Sequence, residues 1–248
     1  MANDYDKFAA LRQQDIRTGK KRSHVCVEKP MMDSMMPTLA GNVLMVGCGT
    51  GEESELLLAH GARTLTGIDS SPESIRIAQE AHPDIDFSVR DMHSLNFPEG
   101  EFDFVYSSLT VHYSPEPVKV LKEMSRVLKP GGKLLFSVGH PLRWGSEEVS
   151  LDGVNVRILG YSQNVDHPQL YGTYASYSEH EHTFPSGEVL KFYSGSPGFY
   201  YKLLKGVGFS IDDFQESKVS EVCMSEDPYY FERFSEFPQF MAFAATKL

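Results

Sequence analysis

The amino-acid sequence predicts an α/β fold built on a doubly wound parallel sheet with helices on both faces. Continuous apolar runs that suit strands buried on both faces alternate along the chain with segments whose apolar residues recur at the helical spacing. Such alternation is typical of parallel sheets, in which each crossover passes through a helix. With 248 residues, the chain is long enough for one such domain but short for two. We therefore predict a single domain over residues 1–248.

The first strand is predicted at 43–46, and the helix that follows over 52–60 ends at Gly61. Further strands are predicted at 64–69, 85–89, 102–107 and 133–138, with helices at 74–81 and 118–128. The helix over 118–128 is the clearest of these, because it has one apolar face at 3.6-residue spacing and Pro130-Gly131-Gly132 ends it. The last elements are a helix at 199–206 and strands at 209–214 and 240–246.

The alternation breaks after His140, so we predict additions around a central core. Residues 1–40 are expected to form helices that cover the binding edge of the sheet, and residues 41–140 form the ligand-binding core. Residues 161–201 are rich in aromatic residues, and residues 141–198 are predicted to form an inserted lid of loops and short antiparallel strands. Its rings suit either the walls of a ligand pocket or the core of the lid. Residues 199–248 supply the last helix and strands.

The balance of charge bears on the kind of ligand. The chain has 23 Lys and Arg residues against 34 Asp and Glu, which gives a net charge of −11. Nucleic-acid binding needs a cationic surface, and the sequence has no basic stripe. We therefore expect a small uncharged or cationic ligand and no nucleic acid. The sequence leaves the oligomeric state open, a homodimer included.

The cysteines and the N-terminal residues predict a soluble, cytoplasmic protein. Cys26, Cys48 and Cys223 are odd in number, widely spaced and without a CxxC pair, so we expect neither a disulfide framework nor a zinc site. Charges stand where a signal peptide is apolar, and no apolar window is long enough to span a membrane. The pair His180 and His182 completes no tetrahedral ligand set, so we assign no metal.

A glycine-rich turn, Gly47-Cys48-Gly49-Thr50-Gly51, follows the first strand. Without Cβ atoms, its glycines let a ligand approach the backbone, and the N–H groups at the start of the next helix favour a carboxylate or phosphate. The dinucleotide fingerprint G-x-G-x-x-G/A needs Gly or Ala at position 52, where this chain has Glu52. A nicotinamide-dependent oxidoreductase is therefore disfavoured.

Two carboxylates follow the second and third strands. Asp69, with Ser70 beside it, ends the second strand, where its carboxylate can accept hydrogen bonds from both hydroxyls of a ribose. The other interpretation is that Asp69 caps the next helix. Asp91, next to Met92, follows the third strand and can accept a hydrogen bond from an adenine amino group. In the company of the glycine turn, the two carboxylates predict a nucleoside site.

Five segments occur in an order that is typical of one enzyme family, and they are VLMVGCGTG, GIDSS, VRDM, FDFVYSS and RVLKPGGKLL. Over about residues 40–140 the chain resembles the class I, Rossmann-like S-adenosylmethionine-dependent methyltransferases of small-molecule type. The resemblance implies a seven-stranded sheet whose last strand runs antiparallel. It also implies that the methionine part of the cofactor lies over Gly47–Gly51, with Asp69 at the ribose, Asp91 and Met92 at the adenine, and Ser107 beside the sulfur.

The reaction that the resemblance implies is transfer of a methyl group from S-adenosyl-L-methionine to O, N or C of a small molecule, with S-adenosyl-L-homocysteine as product. In-line alignment and exclusion of water supply most of the catalysis, and a base is needed only where the acceptor must lose a proton. His140, after the fifth strand, is the preferred proton acceptor, and an orienting hydrogen bond is its other interpretation. His112 is the second candidate, although its position suits packing at a helix start.

Two other classes of function stay open. One is a methyltransferase that acts on tRNA or protein, of which the tRNA version is disfavoured by the acidic charge. The other is a non-catalytic relative that keeps the cofactor site. Met45 stands where the family usually has Asp and removes a polar support beneath the glycine turn. The intact glycine turn and His140 nevertheless favour an active enzyme.

Overall fold

A seven-stranded sheet forms the centre of the molecule. The computed structural model describes residues 22–164, 166, 169–183 and 189–248. The strands, in chain order, are β1 (Asn42–Val46), β2 (Thr64–Asp69), β3 (Asp86–Val89), β4 (Phe102–Ser107), β5 (Leu128–Gly139), β6 (Glu147–Leu151), β7 (Val154–Ile158), β8 (Gly160–Tyr161), β9 (Leu170–Tyr171), β10 (Ser178–Thr183), β11 (Val189–Ser194), β12 (Phe209–Glu216) and β13 (Phe240–Lys247). The central sheet has the order β12-β13-β5-β4-β1-β2-β3.

The direction of the strands confirms the predicted doubly wound topology. Strands β1 to β5 pair in parallel, whereas β13 runs antiparallel to both of its neighbours, β5 and β12. The chain builds β2 and β3 on one side of β1 and then crosses to place β4 and β5 on the other. The strand predicted from residue 133 begins earlier, at Leu128, and continues through Gly131, which has a φ of 75°. The helix before it thus ends directly in a strand.

Helices cover the sheet and begin close to the predicted positions. They are α1 (Lys29–Ser34, continuing a π-helical turn over His24–Glu28), α2 (Ser54–Ala59), α3 (Pro72–Ala81), α4 (Pro117–Val127), α5 (Pro141–Trp144), α6 (Pro197–Gly206), α7 (Glu221–Glu226) and α8 (Pro228–Phe234). Helix α3 begins at Pro72 because Ser71 caps it, its Oγ accepting a hydrogen bond of 3.1 Å from the Ser74 N–H.

Alternation along β1 shows how the sheet organises two cores. Val43 and Met45 pack into the apolar cluster on one face, and Leu44 and Val46 pack into the cluster on the other. This is the burial expected of a central parallel strand. Helix α4 contributes four side chains without solvent exposure to the second cluster, Val120, Leu121, Met124 and Val127. Burial of each stabilises the fold by roughly 1.5–3 kcal/mol, which holds α4 against the sheet.

Short antiparallel strand pairs occur in the described parts of residues 141–198. The strand pairs are β6 with β7, β8 with β9 and β10 with β11. The Trp144 ring joins this insertion to the core, since it packs edge-on against Phe192 with centroids 4.6 Å apart. Tyr177 stacks on Tyr193 and Phe199, at 5.4 and 4.7 Å. These rings pack against one another, and the role of this segment as a lid stays a prediction.

The N-terminal segment shows one clear departure from the sequence prediction. Residues 1–21 of the predicted covering helices lie outside the described residues, whereas residues 22–34 pack over the sheet. Cys26 in this segment is disulfide-bonded to Cys223 of α7, with Cα atoms 5.7 Å apart. The expectation of no disulfide is therefore wrong. The two cysteines lie 197 residues apart in the sequence, and the fold brings them together. Arg22 forms an ion pair of 3.1 Å with Glu226 beside them.

Candidate functional site

A cavity of about 410 Å³ opens at the carboxyl ends of β1, β2, β3 and β4. The strand order reverses at β1, since the chain leaves it towards β2 on one side and returns to β4 on the other. Doubly wound sheets bind ligands at this kind of position, because the loops that follow neighbouring strands diverge there. The volume lies within the range of 300–1,000 Å³ that is usual for small-molecule and cofactor sites.

The glycine turn forms the floor of the cavity. Gly47, Cys48, Gly49 and Thr50 line it, as the sequence predicts. Gly47 has a φ of +72°, and a Cβ there would collide with the side chain of Thr110. The turn is thus open to a ligand on one side and tightly packed on the other.

Gly51 belongs to the turn but does not line the cavity. Its φ is +83°, and a Cβ there would lie 3.1 Å from the His82 ring and 3.3 Å from Phe87. This glycine therefore allows close packing of the turn against α3 and β3. Its predicted contact with the cofactor stays a prediction.

The carboxylate of Asp69 joins the two loops on either side of the cavity. Its Oδ2 accepts a hydrogen bond of 3.0 Å from the Gly49 N–H, and its Oδ1 accepts one of 2.9 Å from the Ser71 N–H. The side chain therefore takes part in starting α3 and also lines the cavity with Ser70. Because each carboxylate oxygen can accept more than one hydrogen bond, these bonds are compatible with ribose binding.

The bond from Gly49 to Asp69 also bears on Met45, which stands where the methyltransferases that the sequence resembles usually have Asp. Met45 is buried beneath the turn, with its Sδ 4.0 Å from the Ser54 hydroxyl. The polar support for the turn comes instead from the neighbouring strand, through Asp69.

Asp91 and Met92 line the cavity after β3. The Asp91 carboxylate accepts a hydrogen bond of 2.8 Å from the His93 N–H and lies 2.6 Å from the His93 ring. Partial burial opposes its ionisation, but these bonds outweigh that effect and hold the pKa of Asp91 below its usual value. The His93 ring is fixed in turn by the Ser114 hydroxyl at 2.7 Å. An ionised acceptor therefore stands ready at the predicted adenine end.

Ser107 was predicted beside the sulfur, but the cavity is lined by Ser108 instead. Ser107 is fully buried, and its hydroxyl donates a hydrogen bond of 3.0 Å to the Val46 carbonyl. Successive side chains of a strand point to opposite faces, so the exact end of β4 decides which serine reaches the ligand. Leu109, Thr110 and Tyr113 continue this wall.

His24 lines the cavity from the N-terminal segment, and no sequence motif pointed to it. Its Nε2 lies 3.1 Å from Glu53 Oε1 and its Nδ1 3.1 Å from Glu28 Oε2. Burial opposes protonation, but the two carboxylates outweigh it and raise the pKa of His24 to about 9. The ring is therefore an imidazolium at neutral pH, held between two carboxylates.

Glu28 connects this imidazolium to the ends of β4 and β5. The carboxylate is fully buried and accepts hydrogen bonds from the hydroxyls of Ser137, at 2.6 Å, and Ser108, at 2.8 Å. Burial opposes its ionisation, yet His24 and the two hydroxyls hold the pKa of Glu28 below its usual value. A pair of this kind is costly to break, because a buried charge is left without its partner.

The two predicted catalytic histidines lie outside the cavity lining. His140 is buried, its Nδ1 accepts a hydrogen bond of 3.2 Å from the Leu142 N–H, and its Nε2 lies 2.9 Å from Glu216 Oε1. His112 is also buried, and its Nδ1 accepts a hydrogen bond of 3.4 Å from the Gly139 N–H. Both nitrogens of His140 are thus engaged within the protein, and His112 packs within a short 3₁₀ turn, Val111–Tyr113.

Comparison with known proteins agrees with this geometry. Residues 44–136 match the model of a family described as a methyltransferase domain. The whole fold resembles an S-adenosylmethionine-dependent methyltransferase from Mesorhizobium loti, with a TM-score of 0.70, 23% identity and coverage of 89% of this chain and 97% of that one. The sheet order and this likeness confirm the predicted fold, and the family match places a methyltransferase-domain segment over residues 44–136.

The chain is also similar in sequence to two curated methyltransferases. It is 36% identical over 117 residues to 2-methyl-6-phytyl-1,4-hydroquinone methyltransferase of Synechocystis sp., covering 46% of this chain and 36% of that protein. It is 33% identical over 144 residues to ubiquinone biosynthesis O-methyltransferase of Xanthomonas oryzae pv. oryzae, covering 54% of this chain and 60% of that protein. The matched segments thus span about a third to three fifths of the relatives' lengths.

In the described part of the chain, no group of three or more His, Cys, Asp or Glu side chains is arranged to hold a metal ion. None of its helices has the length and apolar character needed to cross a lipid bilayer.

Replacement of Asp69 by Ala is expected to weaken binding of S-adenosyl-L-homocysteine by about 10-fold or more, because charge-assisted hydrogen bonds to the ribose are lost. Isothermal titration calorimetry measures this affinity. Asp69→Asn, which keeps an acceptor oxygen, should lose less affinity. Asp86→Ala, which removes an exposed carboxylate on β3, should leave the affinity unchanged. Unchanged affinity in a folded Asp69→Ala variant would show that the ribose assignment is wrong.

The stability of the protein should fall as the pH rises from about 6.5 through about 9. The pKa of His24 is raised from its ordinary value of 6.5 to about 9 in the folded state. Its contribution to the free energy of unfolding is therefore complete below about 6.5 and lost as pH rises through 9. Urea denaturation at pH 6.5 and 9.5 should show a larger loss for the wild type than for His24→Gln. Parallel losses in the two proteins would contradict the pairing, and His60→Gln provides the matched control at a less buried histidine.

Proposed function

We propose that the chain transfers a methyl group from S-adenosyl-L-methionine to O, N or C of a small molecule. The observation that carries the proposal is the cavity at the reversal of the strand order, with the glycine turn, Asp69 and Asp91 around it. These groups fit the cofactor chemically, because they offer open backbone for an amino acid end, a carboxylate for a ribose and a carboxylate for an adenine amino group. When bound, the cofactor supplies an electrophilic methyl group on a sulfonium.

The chain's own contribution is positioning and exclusion of water. Gly47 to Thr50 would hold the methionine end, Asp69 the ribose, and Asp91 with Met92 the adenine. Leu109 and Tyr113, at the end of β4, close the wall on the side of β5 and would hold the acceptor in line. Alignment of this kind accounts for a large share of the rate of a reaction whose electrophile is already activated.

The small-molecule class of acceptor is supported by the names of the relatives and by the charge. One relative is named for a phytyl hydroquinone and the other for ubiquinone biosynthesis, and both names denote small molecules. The net charge of −11 disfavours tRNA as an acceptor. No contact in the described residues favours a methyltransferase that acts on protein. None favours a relative without catalysis either.

The organisation of the chain around this reaction is also part of the proposal. We infer that residues 41–140 bind the cofactor and that residues 1–40 and 141–198 cover the acceptor. His24, which reaches the cavity from the first of these covering segments, supports that role. The cytoplasmic location expected from the sequence stays a prediction, and the Cys26–Cys223 disulfide weighs against it, because disulfides are uncommon in a reducing compartment.

The first test is isothermal titration of the full chain with S-adenosyl-L-methionine, S-adenosyl-L-homocysteine and NAD. We expect micromolar binding of the first two and none of NAD, because the site offers open backbone at the glycine turn and carboxylates suited to a ribose and an adenine. Labelled methyl groups then identify acceptors among phenols, hydroquinones and amines. Tight binding of NAD, or no binding of either adenosyl ligand, would overturn the proposal.

His140 has two proposed roles that its variants separate. As an orienting residue it caps α5 through the bond from the Leu142 N–H, and His140→Ala should lower turnover about 5-fold, in line with loss of an N-cap, with little change in cofactor affinity. His140→Asn should restore turnover, because an Asn side chain also caps. If His140 instead accepts the acceptor's proton, His140→Asn stays as slow as His140→Ala and the pH–rate profile loses its ascending limb.

A further inference from the structure

Arg143 is a partly buried cation near the carboxyl end of β5. It lies on α5, which follows that strand directly. Its Nη1 is shielded from solvent and, within the described residues, has no hydrogen-bond acceptor. A guanidinium carries five N–H donors and does not lose its charge under ordinary conditions. Burial of such a group without an acceptor is costly, so its retention calls for an explanation.

The charged groups around Arg143 increase that cost. Burial lowers its pKa, and the nearby guanidiniums of Arg157 and Arg233 lower it further, while the Tyr230 phenol acts in the opposite direction. Arg157 lies on β7 and donates a hydrogen bond of 3.3 Å to the Ser146 carbonyl. Three cations from α5, β7 and α8 thus influence one another in a chain whose net charge is −11, and an ion pair of 3.8 Å with Glu148 offsets part of the charge of Arg157. An anion placed among them would relieve both the repulsion and the unused donor.

Aromatic rings surround the same guanidinium. The Trp144 ring centroid lies 5.5 Å from Arg143 Cζ, and that of Phe234 lies 5.8 Å away. Contacts at this distance are near the outer limit of cation–π attraction, about 6 Å, and replace only part of the lost hydration. The rings nevertheless give the cationic group an apolar flank.

A row of rings leads from this cationic group towards the cavity. Trp144 stacks on His112, with centroids 6.0 Å apart and an interplanar angle of 28°. His112 contacts Tyr113 at 4.4 Å, and Tyr113 lines the cavity. The cationic group therefore lies on the β5 side of the cavity, away from Asp69 and the proposed nucleoside site. This is the side on which the acceptor is proposed to bind.

We propose that Arg143, supported by Arg157 and Arg233, binds a carboxylate or phosphate group on the methyl acceptor, with Trp144 and Phe234 beside the acceptor's ring. The inference rests on the proposed function and gives its substrate class as small aromatic anions. It replaces the expectation from the sequence that the ligand is uncharged or cationic. Overall charge reflects the exposed surface, whereas selection of a ligand depends on the few groups that it touches.

The test uses the full chain saturated with S-adenosyl-L-homocysteine and titrated calorimetrically with benzoate, phenyl phosphate and benzamide. We expect benzoate or phenyl phosphate to bind at least 10-fold more tightly than benzamide, which has the same ring without charge. The stronger of the two acids identifies the anionic group as carboxylate or phosphate. Arg143→Gln should lose at least 10-fold in that affinity, whereas Arg63→Gln, which removes the same charge at an exposed position, should lose less than 2-fold.

Each result decides between the two proposals. If S-adenosyl-L-homocysteine binds but neither acid binds better than benzamide, or if folded Arg143→Gln keeps wild-type affinity for the acids, the anion site is wrong and the methyltransferase proposal stands. If S-adenosyl-L-homocysteine itself does not bind, the proposed function fails first. Circular dichroism and the affinity for S-adenosyl-L-homocysteine establish folding of each variant. If Arg143→Gln does not fold, Arg157→Gln and Arg233→Gln should each weaken binding of the acid at least 3-fold. Unchanged affinity in both variants overturns the inference.

Discussion

The carboxylate of Asp69 is the point at which sheet, glycine turn and helix are joined. It accepts one backbone N–H from the turn after β1 and another from the start of α3. Donors at helix starts and tight turns have no partner in the regular backbone pattern, so a fixed acceptor between them sets the shape of both. The positions of the turn and of the helix start in turn set the shape of the cavity. A ligand that approaches this carboxylate therefore meets loops that are already arranged for it.

A second buried charge system closes the opposite side of the cavity. The His24 imidazolium between Glu28 and Glu53 attaches the N-terminal segment to the turn before α2, and Glu28 extends the connection to Ser108 and Ser137. Buried charges favour a fold only when every partner is in place. Such a network therefore fixes the relative positions of its side chains more than it adds to the free energy of unfolding. The wall that it builds is thus held in one position relative to β4 and β5.

Local sequence patterns were sufficient for most of the fold and for the floor of the site. Strand and helix periods, together with the stop at Gly61, placed the elements within a few residues, because each depends on neighbours in the chain. The glycine turn, Asp69 and Asp91 were legible for the same reason. His24 and the Cys26–Cys223 disulfide were not, since both depend on which distant segments the fold brings together. Ser108 was missed by one position, because the side that a residue faces is decided where the strand ends.

The place of β13 has a consequence for the order in which the chain acquires its structure. This strand, residues 240–247, lies inside the sheet between β5 and β12 rather than at its edge. During synthesis from the N-terminus, one edge of β5 has no partner strand until more than 100 further residues have been made. An exposed strand edge invites pairing with other chains. Until β13 has been made, this edge of β5 stays available for such pairing.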